Sequence, residues 1–492
     1  MLLQIISHAF GWILFLATIP FGFLVFFPLR LWKWAVILTA RYFRPDLKAL
    51  LTAYDSIFAI DKFFQKPYAA NVTFFIVEGH ISLDKIKSGF ARNVLNKETE
   101  DGEKLYDRLY QVPVSYGGYY FWQEVPVDID KQIRCTHEFK TNDHQNELNQ
   151  ILGDLMTSPL PGALWEILLY TGYQSDKSVV VFRIHHTLGD GYSFNHLVDE
   201  MIEQSSKYMV KIPPLSVSER CRLLATAPTR VASLYQEAFT HSDCFTKRKI
   251  NDQGVVSITS VPLDVMKAIR RKTNTHFATV GMSVLGGAIR RFYLEQNRKM
   301  PAYVSVMHSL PKSGHPLTQM CNHWGVGLFK VPLSCPSALE RLEKTERSYN
   351  QYMGDQYDQL IHSHIPLFSL LPNAFLKLFF STNFGTGMGF TSVPAYDKEA
   401  HLWGHRVLNM YKIFGLQWRQ SAVAAAVYTH NGQVAYTIFS NKDIIEDQAG
   451  VDQVTREYLH AEVQQLCSEL GIQVTPWNNN NNQRPIRSEG FA

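Results

Sequence analysis

The sharpest change of hydrophobic pattern in the chain falls between Ser178 and Lys207, SVVVFRIHHTLGDGYSFNHLVDEMIEQSSK. Val179, Val180, Val181, Phe182 and Ile184 make an almost unbroken apolar run, rich in β-branched residues, that predicts a strand buried on both faces near the middle of a sheet. Beyond Tyr192 the apolar positions become Phe194, Leu197, Val198, Met201 and Ile202, the spacing of a helix with one buried face. The segment between them, HHTLGDG, is therefore a strand-to-helix turn that holds two histidines, an aspartate and a glycine on a rigid frame.

Similar switches recur on both sides. Asn71 to Asn96 reads as a strand and then a helix from Ser82 with Leu83, Ile86, Phe90, Val94 and Leu95 on one face, and Tyr116 to Trp122 as an aromatic β stretch. In the second half, a strand from Val255 leads to a helix from Leu263. Thr279 to Phe292 is a buried helix rich in small residues, Tyr303 to Leu310 a strand, Ala338 to Met353 a polar amphipathic helix and Asp447 to Leu470 a closing helix. Asn431-Gly432 between two apolar runs predicts a type I′ hairpin. In Ile365 to Phe380 only Lys377 is charged, and at 16 residues the run is read as a core helix, with an interfacial wedge as the alternative. The pattern predicts an α/β protein of two lobes, 51–207 and 254–472, joined by a crossover over 208–253 and followed by a disordered Asn-rich tail over 473–492. Within the crossover lie Pro213, Pro214 and the cluster Lys247, Arg248 and Lys249, a solvated face or a contact for an anionic cofactor tail.

Residues 1–50 stand apart. Ala9 to Leu29 gives 21 residues without a formal charge, about the length that crosses roughly 30 Å of hydrocarbon as a helix. Pro20 and Gly22 mark a kink, and Trp34 to Ala40 a second, interfacial helix or the return arm of a hairpin. A cleaved signal peptide is disfavoured by the length, the absence of Lys or Arg ahead of the run and the lack of a small-residue cleavage site. Arg30, Lys33, Arg41, Arg44 and Lys48 all follow the run, which places the body in the cytosol on an endoplasmic reticulum or plasma membrane.

Composition narrows the class. With 46% hydrophobic and 19% charged residues in 492, the chain is too apolar to be disordered and long enough for two cores, and a net charge of +4 gives no argument for nucleic acid. Cys135, Cys221, Cys244, Cys321, Cys335 and Cys467 are scattered without a CxxC pair, which suits reduced thiols facing the cytosol. The chemistry then rests on the turn. An imidazole at a strand end can take a proton from a hydroxyl or amine without a metal, and a carboxylate four residues on can hold the loop. Adjacent strand residues point to opposite faces, so one of His185 and His186 is the base and the other structural. A metal site of His185, His186 and Asp190 is the competing reading, weakened by that divergence. Gly191 fits a point of positive φ or close backbone approach.

With the HHxxxDG pattern at His185, His186, Asp190 and Gly191, the chain resembles the wax ester synthase/diacylglycerol acyltransferase family over roughly residues 50–470. LTAYDSIFAIDKF from Leu51, SPLPGALWEILLY from Ser158, ATVGMSVLGGAIRRF, YVSVMHSL, FTSVPAY and AVYTHNGQVAYTIF are similar to further family segments. The chain departs from the family at Gly281 and Met282, where Asn-Asp is usual, and at Thr391, Ser392, Val393, Pro394 and Ala395, where Ser-Asn-Val-Pro-Gly is usual. Of the Asp-Phe-Gly-Trp-Gly of plant-type relatives it offers only Asn383, Phe384 and Gly385. The resemblance implies a two-lobed α/β fold of the chloramphenicol-acetyltransferase type with the motif at the lobe interface, and the apolar run Ala9 to Leu29 adds an N-terminal transmembrane segment ahead of it. It implies direct transfer of a fatty acyl group from acyl-CoA, a co-substrate and not a bound cofactor, to diacylglycerol or a long-chain alcohol. His186 would be the general base, His185 its support, Asp190 the loop's holder and Gly191 the residue that permits the turn. Other acceptors (an amine or small alcohol) and a non-catalytic lipid-binding role are the alternatives.

Overall fold

In the computed structural model, which describes residues 2–174, 176–202, 215–240, 253–312, 314–316, 319–381, 387–393, 396, 399–415 and 421–474, the chain opens with one long helix, α1 (Leu2–Phe43). Pro213, Pro214, the Lys247 to Lys249 cluster, Asn383 to Gly385, Pro394, Ala395 and the Asn-rich tail lie outside those residues. The first half continues as β1 (Leu47–Leu50), α2 (Ala53–Ala59), β2 (Ala70–Glu78), α3 (Leu83–Phe90), β3 (Gln111–Tyr116), β4 (Tyr119–Glu124), α4 (Ile129–Gln132), β5 (Ile133–Glu138), α5 (His144–Leu155), β6 (Trp165–Tyr173), β7 (Lys177–His185) and α6 (Gly191–Met201). A helix not anticipated in the crossover, α7 (Val217–Thr240), precedes the second half. That half runs β8 (Gly254–Pro262), α8 (Leu263–Thr273), α9 (Phe277–Glu295), β9 (Tyr303–Pro311), β10 (Trp324–Pro332), α10 (Ala338–Gly354), α11 (Tyr357–Phe368), α12 (Asn373–Ser381), β11 (Met388–Val393), β12 (His401–Leu402), β13 (His405–Phe414), β14 (Val423–His430), β15 (Gln433–Asn441), α13 (Gln448–Asp452) and α14 (Leu459–Leu470).

Two mixed six-stranded sheets carry the two lobes, in the orders β12-β13-β2-β7-β6-β5 and β10-β9-β11-β14-β15-β8. β12 and β13 come from the second half of the chain, yet β13 pairs with β2, with Val407 opposite Val77 and Phe414 opposite Asn71. The lobes therefore share a strand and cannot be separated at one linker.

Local chemistry fixes many of the element ends. Ser82 and Ser337 cap α3 and α10 by accepting from the Lys85 and Glu340 amides. Asn431 and Gly432 take φ of 47° and 71°, the paired positive values of a type I′ turn, and join β14 to β15. Gly281 lets α9 lie close on its sheet, because a Cβ there would stand 3.2 Å from the Phe390 ring.

β7 is the central strand the sequence implied. Val180, Phe182 and Ile184 pack with Phe194, Leu197 and Val198 of α6, while Val179 and Val181 pack on the other face with Leu148 and Leu152 of α5 and Val256 and Ile258 of β8. Among these apolar residues sits Arg183, 1% exposed, ion-paired to Glu166 directly across on β6 and donating to the Ser158 and Pro159 carbonyls at 2.8 Å. The guanidinium thus pins the proline-rich SPLPG stretch to the strand that bears the motif.

Two expectations are corrected. The run from Trp34 to Ala40 is no separate arm: α1 continues unbroken through Pro20, Gly22 and Pro28, since each proline removes only one backbone donor and the flanking turns keep the helix together. Ile365 to Phe380 is not a core helix either. It is the end of α11 and most of α12, broken at Ser369 to Pro372, and it leaves Leu367, Phe375 and Leu378 exposed on the surface beside α1.

Removing the carboxylate opposite Arg183 would strand a buried charge, a loss of about 3 kcal/mol or more. Glu166→Ala is therefore expected to lower the unfolding midpoint of the purified protein markedly in a denaturant titration. Glu166→Gln, which keeps an acceptor, should lose less.

Candidate active site

Where β7 ends, the two histidines part as strand alternation requires. His185 turns to the side of Asp61. Thr187 donates its backbone N–H to His185 Nδ1 (3.2 Å), so Nε2 carries the proton and donates to Asp61 Oδ2 (3.0 Å). The same Asp61 oxygen accepts the Tyr68 and Ala69 amides at 2.6 and 2.9 Å. His185 is thereby part of the brace that fixes the loop ahead of β2.

His186 faces the other way, into a cleft that opens to solvent between the two sheets. Ile184 and Phe194 line it from the first lobe and Met307, Trp324, Phe390 and Thr391 from the second, so most of its wall is apolar. The His186 ring stacks on Phe58 of α2, with centroids 3.9 Å apart and planes 11° apart. Its Nδ1 lies 3.0 Å from Asn322 Oδ1. The Asn322 amide nitrogen is already committed as donor to Asp55 Oδ1 (3.0 Å), His186 O (2.9 Å) and Thr187 O (3.2 Å). Asn322 Oδ1 is thus an acceptor, Nδ1 carries the imidazole proton, and Nε2 is left with a free lone pair. Burial pushes the His186 pKa down to about 4, against smaller raising effects from its own backbone, Asp190 and Asn322. The ring is neutral at physiological pH.

Asp190 makes no hydrogen bond to His186. Its Oδ1 caps α6 by accepting the Tyr192 and Ser193 amides (3.0 and 3.1 Å) and takes a third bond from His315 Nε2 (3.0 Å), while Oδ2 accepts the His323 amide (2.8 Å). Burial alone would raise this carboxyl, but the His315 bond and charge and the His323 and Ser193 amides outweigh it and hold it below the usual range. On the other side burial lowers His315, and Asp190 with Cys321 carries it up to about 9. The pair is a buried ion pair linking the first lobe to the segment before β10. Backbone bonds reinforce it: the Asp190 N–H donates to Cys321 O, and Ser193 Oγ bridges both the N–H and the carbonyl of Cys321.

Gly191 departs from expectation. It is the first residue of α6, is not among the glycines of positive φ, and a Cβ on it would meet nothing within 4 Å. The turn is made by the Asp190 cap, and what glycine leaves at this place is open space in the cleft lining. Thr391 of the departing Thr-Ser-Val segment also lines the cleft, its hydroxyl 3.0 Å from Ser309 Oγ, whereas Gly281 and Met282 are buried in α9.

Several members of the site were not picked out from the sequence. Asp55, Phe58 and Asp61 lie in LTAYDSIFAIDKF, noted only as a resemblance, and the available signal was two carboxylates in an otherwise apolar stretch. Asn322, His315 and His323 sit in the connection before β10, where the polar trio Cys321-Asn322-His323 abutting an apolar strand was the one sign. Lys412 of β13 also lines the cleft, held by the Asn195 side chain and 5.1 Å from the Tyr428 ring centroid. Burial draws it down to about 7, opposed by the Asp199 charge. Among the described residues no group of three His, Cys, Asp or Glu side chains is placed to hold a metal ion.

A family model described as the wax ester synthase/diacylglycerol acyltransferase catalytic domain matches residues 89–220. A probable diacylglycerol O-acyltransferase of Mycobacterium tuberculosis is 20% identical over 344 residues, covering 62% of this chain and 73% of that protein, and a putative one of Mycobacterium bovis matches equally. In fold, the chain is similar to a wax ester synthase/diacylglycerol acyltransferase from Marinobacter aquaeolei VT8, with a TM-score of 0.60 at 16% identity over 86% of this chain and 100% of that one. It is also similar to the starter condensation domain of rhizomide synthetase solved with C8-CoA, with a TM-score of 0.54 at 10% identity over 87% and 97% of the two chains. The matched segment is the one that delivers His185, His186 and Asp190 to the cleft, and the likeness of fold extends over both sheets; in that segment and in fold the chain is similar to the wax ester synthase/diacylglycerol acyltransferase family.

Proposed function

We propose that this acyltransferase is held at a membrane with its body on the cytosolic side and moves a fatty acyl group from acyl-CoA to diacylglycerol or a long-chain alcohol, with His186 as general base. The observation that carries the reading is the free Nε2 of a neutral His186 aimed into an apolar cleft between the lobes, its tautomer fixed by Asn322. The acceptor hydroxyl gives its proton to Nε2 as its oxygen attacks the thioester carbonyl. The C–S bond then breaks, and the imidazolium returns the proton to the departing thiolate, so that ester and free CoA leave and the enzyme is unchanged. No covalent enzyme intermediate is needed. Two substrates bound together in one cleft gain from proximity, and the base adds about 10² to 10⁴. An apolar wall suits an aliphatic acceptor. The apolar α1 supports the membrane location, and the C8-CoA bound by a protein of similar fold supports a CoA thioester donor.

The test uses microsomes containing the full chain, radiolabelled palmitoyl-CoA, and either hexadecanol or a diacylglycerol. His186→Ala should lose about 10²-fold or more of the neutral-ester yield. Asn322→Ala frees the tautomer and should fall between that and wild type. Wild type that makes no ester with either acceptor would move an amine or small-alcohol acceptor, or a lipid-binding role, to the front. The active base is the deprotonated ring, and burial holds its pKa near 4 instead of 6.5. In the free enzyme kcat/KM should thus stay level as pH falls through 6.5 and drop only towards about 4, a profile read in brief assays on purified protein. An acid limb near 6.5 would show that the working imidazole is not desolvated.

A further inference from the structure

α1 touches the body at both ends. Near its start, His8 Nδ1 lies 2.7 Å from Thr229 Oγ1, Trp12 Nε1 donates to Ala225 O at 3.0 Å, and Gly11 packs so close on Thr229 that a Cβ would fall 2.5 Å from its methyl. Towards its end, Trp32 Nε1 donates to Gly117 O (3.0 Å), Lys33 Nζ to Ser369 O (2.9 Å), and Val36 and Ala40 are buried against Tyr119 and Phe121. His8, Gly11, Gly22, Phe26, Leu29, Lys33, Val36 and Ala40 recur at intervals that keep one side of a helix towards the protein. On the outer side Ile13, Phe21, Leu24, Phe27, Trp34 and Leu38 are exposed.

This geometry conflicts with a helix that crosses the bilayer over Ala9 to Leu29. His8 and Lys33 are roughly 38 Å apart along the helix at about 1.5 Å per residue, more than the roughly 30 Å of hydrocarbon. A spanning α1 would put α7 on the far side. But α7 carries Glu219, Arg220, Arg222 and Arg230, and it is fastened to the second lobe by Arg222 donating to Gly354 O (2.7 Å) and by the Arg230–Asp355 ion pair (3.1 Å). One body cannot stand on both sides of a membrane.

We propose that α1 lies in the plane of one leaflet of the bilayer, its inner side on the protein and its outer side sunk into the lipid, without crossing. The inference rests on the reading that α1 enters lipid at all. Leu367, Phe375 and Leu378, exposed on α11 and α12 next to the Lys33–Ser369 contact, extend the same surface. Exposed Arg30 and Arg41 supply positive charge for anionic headgroups at its edge. The lipid-facing helices also back onto the cleft, since Ile361, Phe368 and Phe380 pack against the same buried cluster, Tyr54, Ile57 and Ile365, that the cleft residue Trp324 packs against.

The test expresses the full chain with an N-terminal epitope tag in sealed microsomes. The protein should float with the vesicles after a high-salt wash, and protease added outside should remove the tag as fast as it cuts the body. A Gly11→Cys/Thr229→Cys pair should form an intramolecular disulfide in the membrane-bound protein, identified by mass spectrometry of the linked peptides. A tag protected until detergent is added, or failure of the disulfide in floated vesicles, overturns the in-plane arrangement while leaving membrane attachment intact. Protein that stays at the bottom of the gradient overturns attachment and the in-plane proposal together.

Discussion

One carboxylate holds the two lobes in working register. Asp190 accepts two amides of its own helix, the His323 amide and the His315 imidazole, so all its capacity is spent on structure. Its charge is buried, and the opposite charge on His315, raised to about 9, makes that burial tolerable. Because His323 is the next residue after Asn322, fixing its amide fixes the side chain that orients His186. The aspartate thus acts on His186 through the backbone of the other lobe, with Asn322 as the intermediary and Asp55 behind it. Asp55 is itself pushed up by burial, with Arg108 and Asn322 pulling the other way.

The proposed base, His186, is tuned by burial more than by charge. Phe58 covers one face of His186, and apolar side chains from both sheets line the space beyond it. A low pKa keeps the lone pair available over the whole physiological range at the expense of basicity, a compromise that suits the proposed transfer, in which the proton would be in flight only while the ester forms. The second histidine is spent on architecture: His185 and Asp61 tie the end of β7 to the loop ahead of β2, and β2 is the strand that receives β13 from the other half of the chain. Site and lobe exchange are therefore coupled through one strand end.

Much of this was legible in the sequence wherever local periodicity decides. The apolar run into His185, the helix beginning at Gly191, the Asn431-Gly432 hairpin and the serine-capped helices are all set within a few residues by side-chain pattern and turn chemistry. The divergence of His185 and His186 follows from strand alternation alone. The length and apolar character of the N-terminal run also belong to the sequence.

What only the tertiary structure decided involves residues far apart in the chain. Asn322 reaches His186 across 136 positions and His315 reaches Asp190 across 125, and no periodicity encodes a pairing of that range. Gly191 looked like a point of positive φ or close backbone approach, but the Asp190 cap supplies the turn and the glycine leaves cleft space open instead. Ile365 to Phe380 looked like core because it is apolar, and hydrophobicity alone cannot say whether a neighbour or a solvent covers a face. The same holds for α1: its sequence determines that it is a long apolar helix, while its direction relative to the body is decided by the contacts at His8, Gly11 and Trp12 with α7, at Val36 with β4 and at Lys33 with the α11–α12 link, which exist only once the chain has folded.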